Sequence, residues 1–285
     1  MLAPSGNRVS NHPSAHEKPG LSFLASRPAM DQNRAELCVA ALQRSGHHAI
    51  INWISANSAG PVCFLNNCRP GVDPFLMCTE EQRVELAPRN LLLYNYEDRR
   101  LSDAFPSDFV SHKTKWFGEE RKSIYILILR DPFNNFASKY RWAINGTKWT
   151  PQMEWVVHEL PRLWKSYARE FLSLTDVMPA PKIFISYNRW FADEVYRDQL
   201  AGQLALVSAG KGLTEVAKWG PNTWGDSFDN LEFEGRAHEM KVLERWRYYA
   251  DDRDFRQLFN DRELLELSEK IFGVIPGTDT LSLRS

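Results

Sequence analysis

The sequence predicts a three-layer α/β/α domain in which helices cover both faces of a mainly parallel central sheet. Short apolar runs alternate with amphipathic stretches along the chain, which is the pattern of repeated strand–helix units. Residues 123–130 (SIYILILR) are apolar almost throughout, as expected of a parallel strand that is covered on both faces. No internal repeat or long linker interrupts the alternation, so a single domain is predicted at residues 34–285.

The first strand–helix unit is predicted at residues 35–57. Residues 35–42 (AELCVAAL) favour a strand, residues 43–48 (QRSGHH) form a polar turn, and residues 49–57 favour a helix. Further strands are predicted at residues 61–67, 90–98, 123–130 and 181–190. Together these runs indicate a sheet whose strands are joined by helices.

Helices are predicted between and after these strands. Residues 131–144 form one, with Asp131 as N-cap and Pro132 in the first turn. Residues 154–174 form a long amphipathic helix that we expect to kink or break at Pro161. Two more are predicted at residues 195–209 and 262–273, the last one ending at Gly273.

Composition limits the function classes. Of the 285 residues, 43% are hydrophobic and 25% are charged, as in ordinary globular proteins. The formal net charge of -1 argues against a nucleic-acid binder. Residues 1–33 have no periodic apolar pattern or secretion signal and are predicted to be a flexible tail. With no apolar run of about 20 residues, we expect a cytoplasmic protein without a membrane partner; oligomeric state is left open.

The cysteines give no sign of a metal site or a disulfide framework. Cys38, Cys63, Cys68 and Cys78 form no CxxC pair and no zinc-finger spacing with histidine. Cys38 lies within an apolar run and is expected to be a small buried residue. Reduced thiols and no bound metal are therefore predicted.

Residues 43–49 (QRSGHHA) are the first candidate for chemistry. They lie between a predicted buried strand and a helix, so backbone N–H groups and the helix dipole converge on one point. Such a point suits phosphate or sulfate, Arg44 adds a forked cation, and Gly46 permits close approach. An ordinary strand–helix turn is the alternative. A kinase-type P-loop is not indicated, because its first glycine and its lysine are both missing.

Arg130 and Ser138 are the second candidate. Arg130 ends a predicted strand, and Ser138 follows eight residues later in the predicted helix. Ligands gather at the carboxyl ends of strands in such sheets, so Arg44 and Arg130 are predicted to share one edge. Two anion sites suggest a ligand phosphorylated at two positions. A local ion pair of Arg130 with Asp131 is the alternative.

These segments resemble a known family. LQRSGHHAIINW resembles the 5′-phosphosulfate loop of sulfotransferases that use 3′-phosphoadenosine-5′-phosphosulfate (PAPS), and LILRDPFNNFASKY resembles their 3′-phosphate segment. Residues 244–273 are similar to the C-terminal region of bacterial sulfotransferase-like proteins. The resemblance spans about residues 35–275 and implies the P-loop-like sulfotransferase fold, with PAPS as co-substrate and PAP as product.

The resemblance assigns roles residue by residue. The 5′-phosphosulfate would be surrounded by Arg44, Ser45, Gly46, His47, His48 and Ala49. The 3′-phosphate would be held by Arg130 and Ser138. A late loop at residues 219–230 would close over the nucleotide through Ser227, Phe228 and Trp224. Tyr187 matches a tyrosine near the nucleotide, with a buried strand tyrosine as the equal alternative.

This sequence also departs from the family pattern. His47 and His48 stand where the cytosolic members have two threonines, and Ala49 replaces the aromatic residue that follows them. Trp53, four residues further on, cannot simply take over the stacking of adenine.

Sulfuryl transfer needs a base for the acceptor's proton and positive charge at the leaving oxygen. Arg44 and either His47 or His48 are predicted to serve the leaving group. Glu97 is the first candidate base because it follows the strand that carries the base in relatives, and Asp98 is its neighbour. His48 is the second candidate and His112 the third. Alternatively, Glu97 pairs with Arg99 or Arg100 on the surface.

The predicted reaction is metal-free transfer to a hydroxyl or nitrogen of a small-molecule acceptor, in natural product biosynthesis for example. A guanidinium alkaloid of the saxitoxin type is one candidate acceptor, and saccharide or lipid-linked acceptors are others. Residues 112–118 and 140–155 are candidate acceptor-pocket segments. A small-molecule kinase and a non-catalytic nucleotide-binding protein are the competing functions.

Overall fold

The computed structural model describes residues 35–74, 91–117, 122–144, 151–216 and 226–281. The predicted tail at residues 1–33 lies outside these ranges. The strands are β1 (Ala35–Ala41), β2 (Val62–Leu65), β3 (Leu91–Glu97), β4 (Ser123–Leu129) and β5 (Lys182–Ser186). They form one sheet in the order β2-β3-β1-β4-β5, and every neighbouring pair is parallel. The predicted fold class is confirmed.

Helices connect and follow the strands. They are α1 (His47–Ala56), α2 (Leu101–Ala104), α3 (Phe109–Phe117), α4 (Pro132–Ile144), α5 (Pro151–Phe171), α6 (Tyr187–Ala192), α7 (Glu194–Gln203), α8 (Arg253–Gln257) and α9 (Arg262–Phe272). Short 3₁₀ turns lie at Ala237–Glu239, Arg245–Tyr249 and Thr278–Thr280. Within the described ranges, no helix is both long and apolar enough to cross a membrane.

Several elements differ from the prediction. α1 begins at His47 instead of residue 49, because Gly46 takes a left-handed conformation and ends the turn there. β5 stops at Ser186, whose hydroxyl accepts a hydrogen bond from the N–H of Arg189 and so starts α6. The short helices α2 and α3 were not predicted, since a four-residue helix and a largely polar one carry little periodic signal.

The expected break at Pro161 does not occur. α5 continues through this residue, with Leu160, Trp164 and Tyr167 fully buried around it. A proline inside a helix costs about 3 kcal/mol, whereas burying each large side chain contributes about 1.5–3 kcal/mol. Packing of this face therefore outweighs the lost hydrogen bond.

The core lies on both faces of the sheet. On one face Leu37, Val39 and Ala41 of β1 pack with Ile50 and Trp53 of α1. The alternate residues of the strands point to the other face, where the buried ones include Cys38, Ala40, Tyr94, Tyr96 and Leu127. Cys38 is fully buried, as predicted, and no disulfide joins it to another described cysteine.

The carboxyl ends of the parallel strands meet at one edge of the sheet. Ala41 at the end of β1 lies beside Glu97 of β3 and Ile128 of β4. Since β1 is flanked by β3 on one side and β4 on the other, the loops after these strands diverge and leave a crevice. This edge is where the predicted site residues come together.

Candidate active site

The loop between β1 and α1 is built around two left-handed residues, Arg44 (φ 65°) and Gly46 (φ 79°). A Cβ atom at Gly46 would lie 2.1 Å from Cε2 of Tyr187, so only glycine fits at this position. Gly46 is also the N-cap of α1 and offers no side chain to cap it. The N–H groups of the first turn of α1 therefore have no side-chain cap at the carboxyl edge of the sheet.

Contacts with the next strand fix this loop. Asp98 accepts a hydrogen bond from the N–H of Gln43 at 2.9 Å and pairs with Nζ of Lys139 at 2.6 Å. Lys139 also donates to Oε1 of Gln43 at 2.7 Å, and Asn135 donates to the carbonyl of Gln43 at 3.0 Å. Asp98, the neighbour of the predicted base, is thus engaged in holding the loop.

Arg130 follows β4 and is 4% exposed. Its Nη1 donates to the carbonyl of Arg44 at 3.0 Å and to Oγ of Ser138 at 3.2 Å, and Nη2 donates to the carbonyl of Val242. Among the described residues, its Nε has no hydrogen-bond partner and no carboxylate forms an ion pair with Arg130. Burial lowers the pKa of Arg130, since a buried cation without a counter-charge is disfavoured.

The alternative ion pair of Arg130 with Asp131 does not form. Asp131 caps α4 instead, accepting from the N–H of Asn134 at 2.9 Å and from Nδ2 of Asn188 at 2.8 Å. Arg44 is similarly unpaired within the described residues, and burial lowers its pKa while Asp226 and Glu97 act in the opposite direction. Neither arginine therefore forms an ion pair with a carboxylate among the described residues.

Both arginines line one cavity of about 180 Å³ that is partly open to solvent. The sequence-predicted residues that line it are Arg44, Gly46, His47, His48, Ala49, Arg130, Ser138, Tyr187 and Ser227. The structure thus brings the two predicted anion segments together. The guanidinium of Arg130 also lies over the Tyr187 ring, 5.1 Å from its centre. It therefore contacts both the loop after β1, through the carbonyl of Arg44, and the start of α6.

Other predicted residues lie elsewhere. The side chain of Ser45 is fully buried beneath the loop, and Phe228 packs against Arg245 and Tyr248, so neither is among the residues that line the cavity. Trp224 lies outside the described residues. Trp53 is buried in the core, where its indole donates to the carbonyl of Ala209 at 2.8 Å.

The cavity also has lining residues that sequence reasoning missed. Trp190 and Phe191 of α6 form an aromatic wall, and Arg197 of α7 donates to the carbonyl of Trp190 at 2.8 Å. Asp226 lies at the rim and pairs with Arg245 at 2.8 Å. Trp190 was the available signal, but it falls within the strand predicted at residues 181–190.

Beside the cavity, two histidines share one carboxylate. Nε2 of His47 lies 3.0 Å from Oε1 of Glu97, and Nε2 of His48 lies 3.3 Å from the same atom. Nδ2 of Asn95 donates to this oxygen at 3.0 Å. Glu97 is 6% exposed, so the alternative in which it pairs with Arg99 or Arg100 on the surface is wrong.

The protonation states of Glu97 and His48 follow from burial and from their hydrogen bonds. Burial alone would raise the pKa of the Glu97 carboxyl, but hydrogen bonds from His47 and His48 hold it well below its usual range. Burial, assisted by the neighbouring His47, lowers the pKa of His48 to about 4. At neutral pH, Glu97 is therefore an anion and His48 a neutral imidazole.

The same three side chains have the spacing of a metal site, since their ligand atoms all lie within 4.8 Å of one another. Two features oppose a cation there. The positive end of the α1 dipole begins at His47, and the Arg44 guanidinium is close enough to lower the pKa of His48. We therefore interpret the cluster as a hydrogen-bonded network.

His112 and the first acceptor-pocket segment are placed away from this cluster. His112 is a half-exposed residue of α3 that pairs with Asp108 at 3.4 Å. In the same helix, Lys113 pairs with Glu36 at 2.7 Å and donates to Ser123 at 2.6 Å, near the starts of β1 and β4. Residues 112–117 thus lie at the opposite edge of the sheet, and the expectation that they line an acceptor pocket at the site is wrong.

The second acceptor-pocket segment is only partly described. Tyr140 is buried and donates to Asp252 at 3.1 Å, whereas Trp142 is 42% exposed. Trp142 and Trp155 both lie 4.9 Å from Nζ of Lys139, the residue that fixes Asp98. Residues 145–150 lie outside the described ranges, so the acceptor role of this segment stays a prediction.

Comparison with known proteins gives similarity only to solved structures. No protein-family model and no curated protein matches the chain. The chain is similar to sulfotransferases of known structure. A sulfotransferase domain from the curacin biosynthetic pathway aligns with a TM-score of 0.49 and 12% identity, over 86% of this chain and 100% of that one.

Mouse sulfotransferase SULT7A1 complexed with PAP aligns with a TM-score of 0.46 and 14% identity, over 85% of this chain and 90% of that one. Likeness at these scores and identities identifies no binding or reacting residue. The function is therefore argued from the residues that line the cavity.

Proposed function

We propose that this chain is a sulfotransferase that moves a sulfuryl group from PAPS to a hydroxyl or nitrogen of a small-molecule acceptor. One observation carries the proposal: Arg44 and Arg130 line the same cavity, and neither has a carboxylate partner among the described residues. Removing an unpaired charge from water costs several kcal/mol. A ligand with two anionic groups would supply the missing counter-charges.

The two anion positions fit the two ends of such a donor. Arg44 and the first turn of α1 face one end, where a phosphosulfate would receive N–H groups and a helix dipole. Arg130 and Ser138 face the other end, where they would hold a 3′-phosphate. Direct contact between Arg130 and the carbonyl of Arg44 at 3.0 Å couples the two positions.

The remaining wall suits a nucleoside. Trp190 and Phe191 offer flat apolar surface, and Arg197 offers a guanidinium within the same cavity. Purine rings favour such surfaces. These residues would replace the missing aromatic side chain at Ala49, whereas Trp53 is occupied in the core.

The reaction would proceed by in-line displacement at sulfur. Arg44 would stabilise charge on the leaving oxygen of the 5′-phosphate as it develops. Because the anion of Glu97 is already stabilised by three N–H donors, it is a weak proton acceptor. We assign the base to His48, which lines the cavity and is neutral at working pH, with Glu97 orienting its ring.

Neither competing function is favoured by a specific contact. The loop of residues 43–49 lacks the lysine with which kinases bind the β- and γ-phosphates. A non-catalytic binder would not need an anionic carboxylate beneath a neutral, cavity-lining imidazole. The acceptor, the cytoplasmic location and a role in natural product biosynthesis stay expectations from sequence.

Calorimetric binding of PAP and of ADP, both without magnesium, tests the proposal. Wild-type protein should prefer PAP, and Arg130→Ala should lose that preference because the 3′-phosphate loses its cation. Arg162→Ala is the matched control, since Arg162 is 73% exposed and paired with Glu159. Equal binding of PAP and ADP, or binding of neither, would remove PAPS as the donor.

A further inference from the structure

Ser45 lies in the loop that would hold the phosphosulfate, but its hydroxyl is not on the cavity wall. The residue is fully buried, and Oγ lies 3.4 Å from Nδ1 of His47. The other nitrogen of that ring, Nε2, lies 3.0 Å from Oε1 of Glu97. Ser45, His47, Glu97 and His48 therefore form one continuous chain of polar contacts that ends at the cavity.

The chemistry of these groups sets the direction of each hydrogen bond. An ionised carboxylate only accepts, so Nε2 of His47 donates to Glu97. A neutral imidazole that carries its hydrogen on Nε2 has a lone pair on Nδ1, and the hydroxyl of Ser45 donates to it. By the same rule, Nε2 of His48 donates to Glu97 from the other side.

We propose that Ser45 and His47 are positioning residues that select one tautomer and hold Glu97 as an anion, so that His48 alone takes the acceptor's proton. This inference rests on the proposed function. His47 cannot take that proton itself, because both of its ring nitrogens face protein groups. Both rings line the cavity, but His48 is the more exposed of the two, with 16% of its side chain accessible against 3% for His47.

The step balances without a further reactant. The acceptor oxygen or nitrogen forms a bond to sulfur, and its proton passes to the imidazole of His48. The electrons of the breaking sulfur–oxygen bond leave on the 5′-phosphate oxygen of PAP. His48 becomes a cation whose Nε2–H still faces the Glu97 anion, and this charge pairing favours the transfer.

Replacing Ser45 separates this role from phosphate binding. Ser45→Ala should lower kcat by about tenfold to a hundredfold, as expected when an orienting hydrogen bond is lost, and leave the Kd for PAP unchanged. Ser138→Ala is the matched control: Ser138 lines the cavity beside Arg130, so its loss should weaken PAP binding. Weaker PAP binding by Ser45→Ala with an unchanged kcat would overturn the proposal.

His47 has a conservative replacement that tests the donor role. His47→Gln keeps an N–H that can reach towards Glu97, whereas His47→Ala keeps none. We expect kcat of the glutamine variant to be nearer to wild type, with the same Kd for PAP in both. Equal kcat values for the two variants would contradict a donor role for His47.

The tautomers can be read on the wild-type protein, whether or not a variant folds. Long-range ¹H–¹⁵N correlation spectra, assigned with His47→Gln and His48→Gln, should show hydrogen on Nε2 of both rings. Hydrogen on Nδ1 of His47, or a doubly protonated His47, would overturn the positioning chain even if PAP binds. Failure of PAP to bind would overturn the proposed function, whatever the tautomers are.

Discussion

The ring of Tyr187 occupies the space that any side chain at Gly46 would need. A Cβ atom there would lie 2.1 Å from Cε2 of Tyr187. The turn after β1 therefore lies directly against the start of α6, and both line the cavity. Because Gly46 has no side chain, the loop after β1 and the ring of Tyr187 can pack together.

Gly46→Ala should destabilise the protein and weaken PAP binding. Alanine in a left-handed conformation costs about 1–2 kcal/mol, and overpacking against Tyr187 adds about 1–3 kcal/mol. Gly71→Ala is the matched control, because Gly71 has a φ of 72° and no atom of a described residue lies within 4 Å of its added Cβ. Chemical denaturation and PAP titration of both variants measure the difference. Equal destabilisation would show that the contact with Tyr187 does not matter.

Arg44→Met should weaken PAP binding without lowering the stability of the unliganded protein. The Arg44 side chain has no ion-pair partner among the described residues, so methionine removes a half-buried charge and keeps most of the volume. A charge-assisted hydrogen bond contributes about 1.5–3 kcal/mol, which corresponds to about a tenfold to hundredfold change in Kd. Thermal unfolding with and without PAP checks both effects.

A large loss of stability in unliganded Arg44→Met would mean that the arginine is already satisfied within the protein. Arg162→Met, at an exposed ion pair, is the control for the chemical change and should alter neither quantity. The two variants together separate ligand binding from folding.

The sequence predicted the sheet, α1 and both anion segments because each depends on local pattern. Arg44 and Arg130 follow strands, and ends of parallel strands share an edge. The contact between His47 and Glu97 could not be read in this way. Glu97 lies 50 residues further along the chain, and only the register that sets Ala41 beside it brings the two together.

The sequence also could not predict where the side chains of Ser45 and Phe228 point. A serine in an anion loop can face the ligand or the interior, and here Oγ lies 3.4 Å from the buried Nδ1 of His47. Phe228 can cover a nucleotide or pack beneath it, and here Arg245 lies 4.4 Å from its ring. Packing between distant segments decides both cases.

The protein should lose stability as pH falls from about 6.5 to about 4, in part because of His48. Burial lowers the pKa of this residue to about 4 from its ordinary 6.5, so the unfolded chain binds a proton in this window and the folded chain does not. Stability from this source is present above about pH 6.5 and is lost below it. Urea unfolding of wild type and His48→Gln across this range measures it.

The variant should show a shallower decline in the free energy of unfolding than wild type, by up to about 3 kcal/mol at the acid end. His112→Gln is the control, since His112 is half-exposed on another helix. Parallel curves for wild type and His48→Gln would mean that His48 is not neutral and buried in the folded state.

Glu97→Gln should reduce turnover by at least about a hundredfold, whether Glu97 is the base or orients His48. His48→Ala distinguishes the two roles. If His48 is the base, its loss costs as much as that of Glu97, and the double variant is no worse than either single variant. If Glu97 is the base, His48→Ala retains most activity. Single-turnover assays with PAPS and an identified acceptor decide between these outcomes.

Removal of metals should leave both PAP binding and sulfuryl transfer unchanged. The ligand atoms of His47, His48 and Glu97 lie within 4.8 Å of one another, so a bound cation is the physical alternative to a hydrogen-bonded network. Protein dialysed against EDTA, with metal content measured, should retain full activity without magnesium. Loss of activity that zinc restores would mean that the three residues are ligands and that His48 cannot act as the base. Turnover of ATP that depends on magnesium would instead favour a kinase.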